Sequence, residues 1–349
     1  MSLTNVTKYK FREMGGILIF FVILGIVGIL VNLRSEDFPL LRSIIAIVIF
    51  GALTALHEIV ISPKLSKFNF TINLGASVLF YYFTFSLVIV LMGYSTLVYK
   101  NGLTWEQAFK TDYYTIFPEG IGQPMLLLGL SVSLLVVIRF ANLMLGQGVL
   151  FKYLSGRYHK PRNEERIFMF LDLKSSTEIA ERLGHEKYSL FLKDFFNELD
   201  EAILGTGGYL FQYVGDEIVM VWGSKNGFKN NNCIKFYFMV KKIINNLHSQ
   251  FLDRYGVFPE YKAGLHFGIV SITEIGSIRK SIAYHGDTIN TTARICAKCK
   301  ELDEELLISE NLYKRIEKKD DYLFENIGQH SLKGKKNKLN LYRVSNLKN

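Results

Sequence analysis

The chain of 349 residues is 49% hydrophobic and 21% charged, and its formal net charge at pH 7 is +9. Many of its bases flank apolar segments, where they suit anionic lipid. Outside the C-terminal tail no stripe of bases interleaves with stacking aromatics, so nucleic acid is not an expected partner. Three cysteines are too few for a disulfide framework. Cys296 and Cys299 form a lone CxxC, which favours reduced structural thiols over a zinc site.

Four apolar runs occupy the first part of the chain, at about 14–33, 40–62, 72–99 and 123–146. Each is close to the ~20 residues that a helix needs to cross ~30 Å of hydrocarbon. The first run exceeds the ~7–15 residues of a signal-peptide h-region and lacks a following cleavage site, so we expect it to be retained. The pattern predicts an α-helical transmembrane bundle of four spans in residues 1–146, in contact with membrane lipid.

Lysines and arginines are distributed unevenly among the loops. They precede the first run, separate the second from the third and follow the fourth, whereas the other two loops balance bases with acids. This bias predicts a multi-pass protein of the inner (plasma) membrane whose N-terminus and C-terminal part are cytosolic. We expect His57, Glu58 and Arg139, which are costly in lipid, to face the bundle or the cytosolic interface. Residues 147–165 are basic and broken by glycines, which predicts a cytosolic linker that transmits helix rotation.

Residues 166–349 have the composition of a charged globular domain. The run RIFMFLDL predicts a buried strand, and Ser175 begins a helical pattern after it. The stretch FQYVGDEIVMVW predicts a hairpin that turns at Gly215-Asp216. The order strand, helix, hairpin, helix, strand is that of an α+β ferredoxin-like (βαββαβ) domain, here with extra C-terminal elements. The predicted later elements are a helix, a strand and a helix, at 229–252, 261–272 and 286–300.

Two acids stand at neighbouring strand ends of this predicted fold. Asp172 ends the first strand, and Asp216 occupies the tip of the hairpin. Adjacent carboxylates repel each other unless a cation lies between them. Hard oxygen ligands suit Mg²⁺ or Mn²⁺, which complete their shells with substrate phosphates. The pair therefore predicts a metal site for a nucleotide, although each acid alone is also compatible with a helix cap or an ordinary turn.

The motifs FLDLKSST, YVGDEIVMVW, AGLHFG and YHGDTINTTARI, in this order and spacing, resemble class III nucleotide cyclases, which make cyclic AMP or cyclic GMP. The resemblance covers about residues 165–345. It implies that Asp172 and Asp216 bind two Mg²⁺ or Mn²⁺ ions per active site and that the carbonyl of Leu173 is a further metal ligand. It suggests a membrane-anchored bacterial adenylate cyclase.

The resemblance also assigns Asn290 and Arg294 to the transition-state pair of the pattern N-x-x-x-R. On a helix, residues i and i+4 point to one spot, where a guanidinium could bind phosphate and an amide could orient the ribose. An isolated NxxxR would instead be a helix-start residue and a surface base. In the family, the metal pair of one protomer faces this helix of the other, which implies a symmetric homodimer with two composite sites.

Three further positions concern substrate binding. Lys333 matches a lysine that contacts substrate phosphates in relatives, and a simple basic loop between the last two strands is an equal alternative. Gln212 and Ala283 occupy the positions that select the base, and they match neither the adenylate nor the guanylate pattern. Gln212 can both donate and accept, so it is compatible with adenine and with guanine. ATP is the expected substrate, with GTP as the alternative.

Two other functions remain as alternatives. Gly215-Asp216-Glu217 is similar to the GGDEF signature of diguanylate cyclases, but Val214 and Ile218 replace its outer residues, and the first strand lacks that family's pattern. The other alternative is a regulatory membrane protein with a silent cyclase-like module. Retention of both acids and of the asparagine–arginine pair argues against a silent module, whereas the unusual base-selecting positions leave it open.

Overall fold

The computed structural model describes residues 40–61, 70–111, 149–335 and 337–347, together with 134, 137, 138, 141 and 144–146. The chain divides into two compact units, residues 1–144 and 145–349. The first predicted apolar run and most of the fourth lie outside the described residues, as does Arg139.

The N-terminal unit is helical in its described parts: α1 is Leu40–Leu56, continued by a π-helical turn at His57–Ile61, α2 is Phe70–Asn101 and α3 is Trp105–Phe109. A single helix among the described residues, Ile72–Tyr99 within α2, has the length and apolar composition to cross a membrane. The second predicted run forms α1 and its π-helical turn, and the four-span bundle stays a prediction.

Helices α1 and α2 pack through aromatic side chains. The rings of Phe50 and Phe85 meet edge to face with centroids 5.2 Å apart. His57 is buried, as expected for a histidine turned toward other helices, and its Nδ1 lies 3.3 Å from the hydroxyl of Tyr81. The side chain of Glu58 lies outside the described residues.

The C-terminal unit contains an eight-stranded sheet with helices on both faces. Its helices are α4 (Val149–Leu154), α5 (Ser176–Asn197), α6 (Asp200–Thr206), α7 (Ser224–Phe228), α8 (Asn232–Asn246), α9 (His248–Tyr255), α10 (Asp287–Leu302) and α11 (Glu310–Tyr313). Its strands are β1 (Arg162–Leu173), β2 (Tyr209–Val214), β3 (Glu217–Gly223), β4 (Tyr261–Ile275), β5 (Ser281–His285), β6 (Leu306–Ser309), β7 (Tyr322–His330) and β8 (Leu339–Asn346).

The strand order is β2-β3-β1-β4-β6-β8-β7, and β5 pairs with β4. The first four strands pair antiparallel, and α5, α6, α8 and α9 lie on the connections between them. This arrangement is the predicted split βαβ unit of a ferredoxin-like domain, extended at one edge by the later strands. The predicted mixed α+β fold of the C-terminal part is therefore confirmed.

Three element bounds differ from the predictions. Strand β1 begins at Arg162 rather than at residue 166, because its first residues pair with the far end of β4. The end of the predicted linker thus belongs to the sheet. The helical pattern after Ser175 is kinked at Gly184, whose φ is 74°, and a new helix starts at Asp200. The predicted helix 229–252 is two helices that meet at Leu247.

The two faces of the sheet bury different side chains. Alternate residues of a strand point to opposite faces. On β1, Ile167, Met169 and Leu171 belong to the larger core, which contains the inner residues of α5 and α8. Phe168 and Phe170 belong to a second core, with Tyr284 of β5 and Cys296 of α10. By this alternation Asp172 lies on the face that α10 covers.

Candidate active site

The hairpin between β2 and β3 turns in two residues, as predicted. Gly215 has a φ of 65°, a left-handed conformation that glycine adopts without strain. Val214 pairs with Glu217, which leaves Asp216 at the tip. Because Glu217 is also the partner of Asp172 in the β1–β3 ladder, Asp216 lies beside Asp172. Burial raises the pKa of Asp172, and its contact with Asp216 adds to that rise. The predicted proximity of the two acids is confirmed.

Three charged residues form a row across the sheet at this end. Asp172 pairs with Glu217 of β3 on one side and with Lys262 of β4 on the other. The ammonium nitrogen of Lys262 lies 2.5 Å from Oδ2 of Asp172, and the Lys262 side chain is only 7% exposed. Directly opposite residues on neighbouring strands lie on one face of the sheet. Glu217, Asp172 and Lys262 therefore form a row of acid, acid and base on one face of the sheet.

Burial and charge shift the pKa values of this row. Burial raises the pKa of Asp172; Lys262 opposes this rise, and the carboxylate of Asp216 adds to it. Burial also raises the pKa of Glu217, which reaches about 7 because the charges of Asp172 and Asp216 act in the same direction. Burial acts to lower the pKa of Lys262, but its ion pair with Asp172 outweighs that effect and raises it. The ammonium of Lys262 thus forms an ion pair with Asp172, next to which Asp216 and Glu217 add two further acids.

The acids fit a divalent cation. An oxygen of Asp172, an oxygen of Glu217 and the sulfur of Cys296 lie within 4.8 Å of one another. Carboxylates whose protonated forms are favoured by burial and mutual repulsion gain from a bound cation, which relieves both effects. Asp172 and Asp216 can supply the hard oxygens that Mg²⁺ and Mn²⁺ prefer. Leu173 is 2% exposed, with its side chain in the larger core.

Helix α10 lies very close to β4 above this row. A Cβ on Gly264 would come within 2.3 Å of the backbone nitrogen of Cys296, so only glycine allows this approach. The inner side of the helix consists of threonines, an isoleucine and the two cysteines. This packing explains why Cys296, rather than a residue of the outer side, lies next to Asp172.

Asn290 and Arg294 lie on the same helix, one turn apart, as predicted. At 100° per residue, Asn290 and Arg294 are separated from Cys296 by about 120° and about 160° around the helix axis, so neither shares the side of the helix that faces Asp172. Asn290 is exposed and Arg294 is half-buried. The structure therefore brings the acids together and the asparagine–arginine pair together, but on different sides of α10 within one chain.

A loop between β7 and β8 lies beside Arg294. A Cβ on Gly334 would be 3.3 Å from a guanidinium nitrogen of Arg294. Lys335 forms an ion pair with Asp287 at the start of α10, which lowers the pKa of that carboxyl. Lys333, the predicted phosphate contact, is exposed in the same loop.

The two base-selecting positions lie on strands. Gln212 is exposed on β2 and pairs with Val219, a residue of the second core, so it lies on the same face of the sheet as Asp172. Ala283 is half-buried on β5 and pairs with Thr273. The neighbours of these positions, Phe211 and Tyr284, contact each other at 4.9 Å between ring centroids.

Sequence reasoning missed Lys262, the inward thiol of Cys296 and the pairing of Lys335. A usable signal existed for the first, because Lys262 lies near the start of a mostly apolar strand, and a buried lysine requires an anionic partner. No comparable signal distinguished Cys296 from Cys299, because both lie on the inner side of one helix.

The family model of the adenylate and guanylate cyclase catalytic domain matches residues 158–346. The chain is 36% identical to Adenylate cyclase 2 of Rhizobium meliloti (strain 1021) over 212 residues, which are 61% of this chain and 58% of that protein. It is 21% identical to an adenylate cyclase of Anabaena cylindrica over 182 residues, which are 50% of this chain and 36% of that protein. The chain thus spans less than two thirds of either relative.

The fold is also found among solved structures. A bacterial light-regulated adenylyl cyclase superposes with a TM-score of 0.55 at 19% identity, over 64% of this chain and 65% of that chain. At this identity the likeness concerns the fold alone. The family match, by contrast, includes both acids, the Asn290–Arg294 helix and the Lys333 loop, and it covers more than half of the sequence. The chain belongs to the family of the adenylate and guanylate cyclase catalytic domain.

Proposed function

We propose that this protein converts ATP to 3′,5′-cyclic AMP and pyrophosphate at two composite sites of a homodimer. One observation carries the proposal: the acids Asp172 and Asp216 and the pair Asn290 and Arg294 lie on different sides of α10. A second protomer can present its own α10 to the acids of the first, and two-fold symmetry then forms the same site twice. The 36% identity to Adenylate cyclase 2 of Rhizobium meliloti supports the reaction type.

The reaction joins the ribose 3′-oxygen to the α-phosphorus as the bond from that phosphorus to the pyrophosphate oxygen breaks. The 3′-hydroxyl loses its proton, and negative charge develops on the phosphate oxygens. Catalysis of such a step consists of positioning and electrostatic stabilisation. Arg294 is suited to bind the phosphoryl oxygens through its planar fork, Asn290 to orient the ribose, and exposed Lys333 to contact the polyphosphate.

Asp172 and Asp216 would hold the divalent ions, with the carbonyl of Leu173 as a further ligand. When bound, two Mg²⁺ or Mn²⁺ ions would lower the pKa of the ribose 3′-hydroxyl and neutralise negative charge on the triphosphate. The chain's own contribution is to hold two carboxylates side by side at strand ends, where the two-residue turn fixes Asp216.

ATP is proposed over GTP because the named relatives are adenylate cyclases. The amide of Gln212 is exposed on the same face as Asp172, where it can donate to adenine N1 and accept from its amino group. Ala283 offers no side-chain hydrogen bond. Guanylate cyclase activity is the second candidate, since the same amide can also pair with guanine.

We also propose that residues 1–146 form four membrane spans, with the N-terminus and the catalytic unit in the cytosol of a bacterial inner membrane. The apolar helix Ile72–Tyr99 and the bias of bases among the loops support this topology. Topology reporters fused after residues 35, 66, 110 and 349 test it. Cytosolic signals at 66 and 349 and external signals at 35 and 110 are expected, and any other pattern contradicts it.

The activity test uses the purified full chain with Mn²⁺ and either ATP or GTP, and it measures cyclic nucleotide and pyrophosphate. We expect cyclic AMP from the wild type and at least ~100-fold less from Asp172→Ala or Arg294→Ala. Equal mixing of these two inactive variants tests the dimer. Half of the dimers then pair one variant with the other and contain one intact site, so about a quarter of the wild-type activity should return.

Each alternative has its own outcome in the same assay. Cyclic GMP in excess over cyclic AMP establishes the guanylate cyclase, and a linear or cyclic dinucleotide from GTP establishes the diguanylate reaction. No turnover of either nucleotide by a folded dimer establishes the silent regulatory module. Full activity of a monomer would contradict the composite site.

A further inference from the structure

A thiol lies at the acids of the proposed active site. The sulfur of Cys296 and oxygens of Asp172 and Glu217 fall within 4.8 Å of one another. The three ligands come from α10, β1 and β3, so three separate elements converge on one point. Bonds of about 2.3 Å to sulfur and about 2.0 Å to oxygen place neighbouring tetrahedral zinc ligands about 3.5 Å apart, so side-chain movements of about 1 Å bring the three atoms onto one ion.

We infer that Asp172, Glu217 and Cys296 form a binding site for a thiophilic divalent cation, of the Zn²⁺ and Cd²⁺ class. This site shares Asp172 with the proposed Mg²⁺ site, so occupation by the thiophilic ion blocks the acid. Occupation should therefore inhibit cyclic-nucleotide synthesis. This inhibition rests on the proposed function, whereas the binding of the ion does not.

The packing of α10 holds the thiol in place. Cys296 is 1% exposed, and the approach permitted by Gly264 presses its part of the helix onto β4. Its thiol donates a long hydrogen bond, of 4.0 Å, to the carbonyl of Lys262. Cys299, one turn further along, lies 3.3 Å from the carbonyl of Ala263 and 3.4 Å from that of Ile295. Of the two thiols, Cys296 has the weaker protein partner and the acids beside it.

The charges favour a doubly charged ion at this point. Asp172, Asp216 and Glu217 lie together, and the ammonium of Lys262 forms an ion pair with Asp172. A divalent ion brings twice the charge of that ammonium. On binding, the Cys296 thiol gives its proton to solvent, the sulfur bonds to the metal, and Asp172 exchanges the ammonium of Lys262 for the ion.

The ligand set selects the metal. Mg²⁺ prefers oxygen ligands and keeps its waters, so the thiol adds nothing to its binding. Zn²⁺ and Cd²⁺ gain from a thiolate together with carboxylates. A thiophilic ion therefore binds more tightly than Mg²⁺ although both use Asp172.

Cadmium alone is the probe, added to the purified, reduced full chain without nucleotide. The ultraviolet sulfur-to-cadmium charge-transfer band reports the metal–thiolate bond directly. We expect the band in the wild type to saturate near one ion per chain. Cys296→Ser should lose it, and Cys299→Ser, the matched control on the same helix, should keep it. A wild-type chain without the band, or a Cys296→Ser chain with the full band, overturns the proposal.

A second measurement on the wild type does not depend on the folding of a variant. Because Mg²⁺ and Cd²⁺ share Asp172, raising Mg²⁺ from zero to millimolar levels should shift the Cd²⁺ titration to higher concentration by at least ~3-fold. A titration that ignores Mg²⁺ refutes the sharing of Asp172 by the two ions, whereas the charge-transfer band tests the bond to Cys296. Neither measurement uses turnover, so a protein that binds Cd²⁺ but makes no cyclic nucleotide contradicts the proposed function alone.

Discussion

Lys262 and Asp172 are direct partners in the β4–β1 ladder, and the ammonium of Lys262 lies 2.5 Å from the carboxylate of Asp172. The ammonium of Lys262 thus lies beside a carboxylate oxygen of Asp172 that is proposed to bind a metal ion. The pair is well shielded, since the Lys262 side chain is 7% exposed and that of Asp172 is 27% exposed. Any cation that binds Asp172 competes with this internal ammonium.

Removal of that ammonium should raise the metal affinity. We expect Lys262→Met to bind Mn²⁺ about 10-fold more tightly, since a tenfold change corresponds to ~1.4 kcal/mol of lost competition. The variant should also be less stable without metal, because an unpaired charge is left partly buried. The free-Mn²⁺ signal in electron paramagnetic resonance gives the affinity, and thermal unfolding in chelator gives the stability.

The control for this variant is Lys241→Met, which removes a lysine from a more exposed ion pair with Glu305. Exposed pairs contribute little, so Mn²⁺ affinity should stay at the wild-type value. An unchanged or weaker Mn²⁺ affinity in Lys262→Met would show that the lysine supports the metal rather than competing with it.

Gly264→Ala should disturb the packing of α10 on β4. The added methyl would lie 2.3 Å from the backbone nitrogen of Cys296, and a backbone atom cannot move aside as a side-chain tip can. Overpacking of this kind costs about 1–3 kcal/mol or more. Urea unfolding of the full chain should show this loss in the catalytic unit, and activity should fall because Asn290 and Arg294 move with the helix.

Lys300→Ala is the matched change on α10, at an exposed position near its end. Its effect on unfolding should stay within about 0.5 kcal/mol. Equal stability of Gly264→Ala and the wild type would mean that the helix lies farther from the strand than the structure places it.

His266 should make the stability of the catalytic unit depend on pH. The residue is 5% exposed, and its Nδ1 lies 2.7 Å from the hydroxyl of Ser309. Burial lowers its pKa to about 4; the charge of Lys335 acts in the same direction, and Asp287 opposes it. The unfolded chain, with the ordinary histidine pKa near 6.5, therefore binds the proton more readily than the folded chain.

The stability contributed by neutral His266 is thus complete above about pH 6.5 and is lost as the pH falls toward 4. Since one pKa unit corresponds to about 1.4 kcal/mol, the loss is about 3 kcal/mol. Urea unfolding at pH 7.5 and pH 4.5 measures it. His266→Gln should lose less stability than the wild type over this interval, and an identical loss would assign the pH dependence to the carboxyl groups.

Gln212→Glu should shift the base preference toward GTP. A carboxylate accepts from the N1 hydrogen and the amino group of guanine, whereas it repels the N1 lone pair of adenine. A hydrogen bond to a charged group is worth about 1.5–3 kcal/mol, so the ratio of kcat/KM for GTP over ATP should rise by at least ~10-fold. Initial rates with each nucleotide measure this ratio.

Gln329→Glu provides the same amide-to-acid change at an exposed position of β7. It should leave the ratio unchanged. If Gln212→Glu also leaves it unchanged, the base is read by other groups, and the position is simply an outward residue of β2.

Much of the catalytic fold could be predicted from the sequence. The Gly215-Asp216 turn, the continuous apolar run that ends at Asp172 and the helix with Asn290 and Arg294 are local patterns, which depend on backbone preference and on the period of apolar residues. The bounds of the elements were predicted less exactly. The start of β1 depends on pairing with distant residues of β4, and the helix is kinked at Gly184 although the helical sequence pattern continues through that residue.

The sequence by itself determined which residues end the strands and which share a helix, because those relations follow from spacing along the chain. Only the tertiary structure decided that Lys262 neutralises Asp172, that Cys296 lies beside the acids, and that Arg294 points away from them. Such contacts depend on strand register and on how closely α10 approaches β4. A single residue of register or a 100° rotation of the helix would exchange every partner, and no local pattern encodes either quantity.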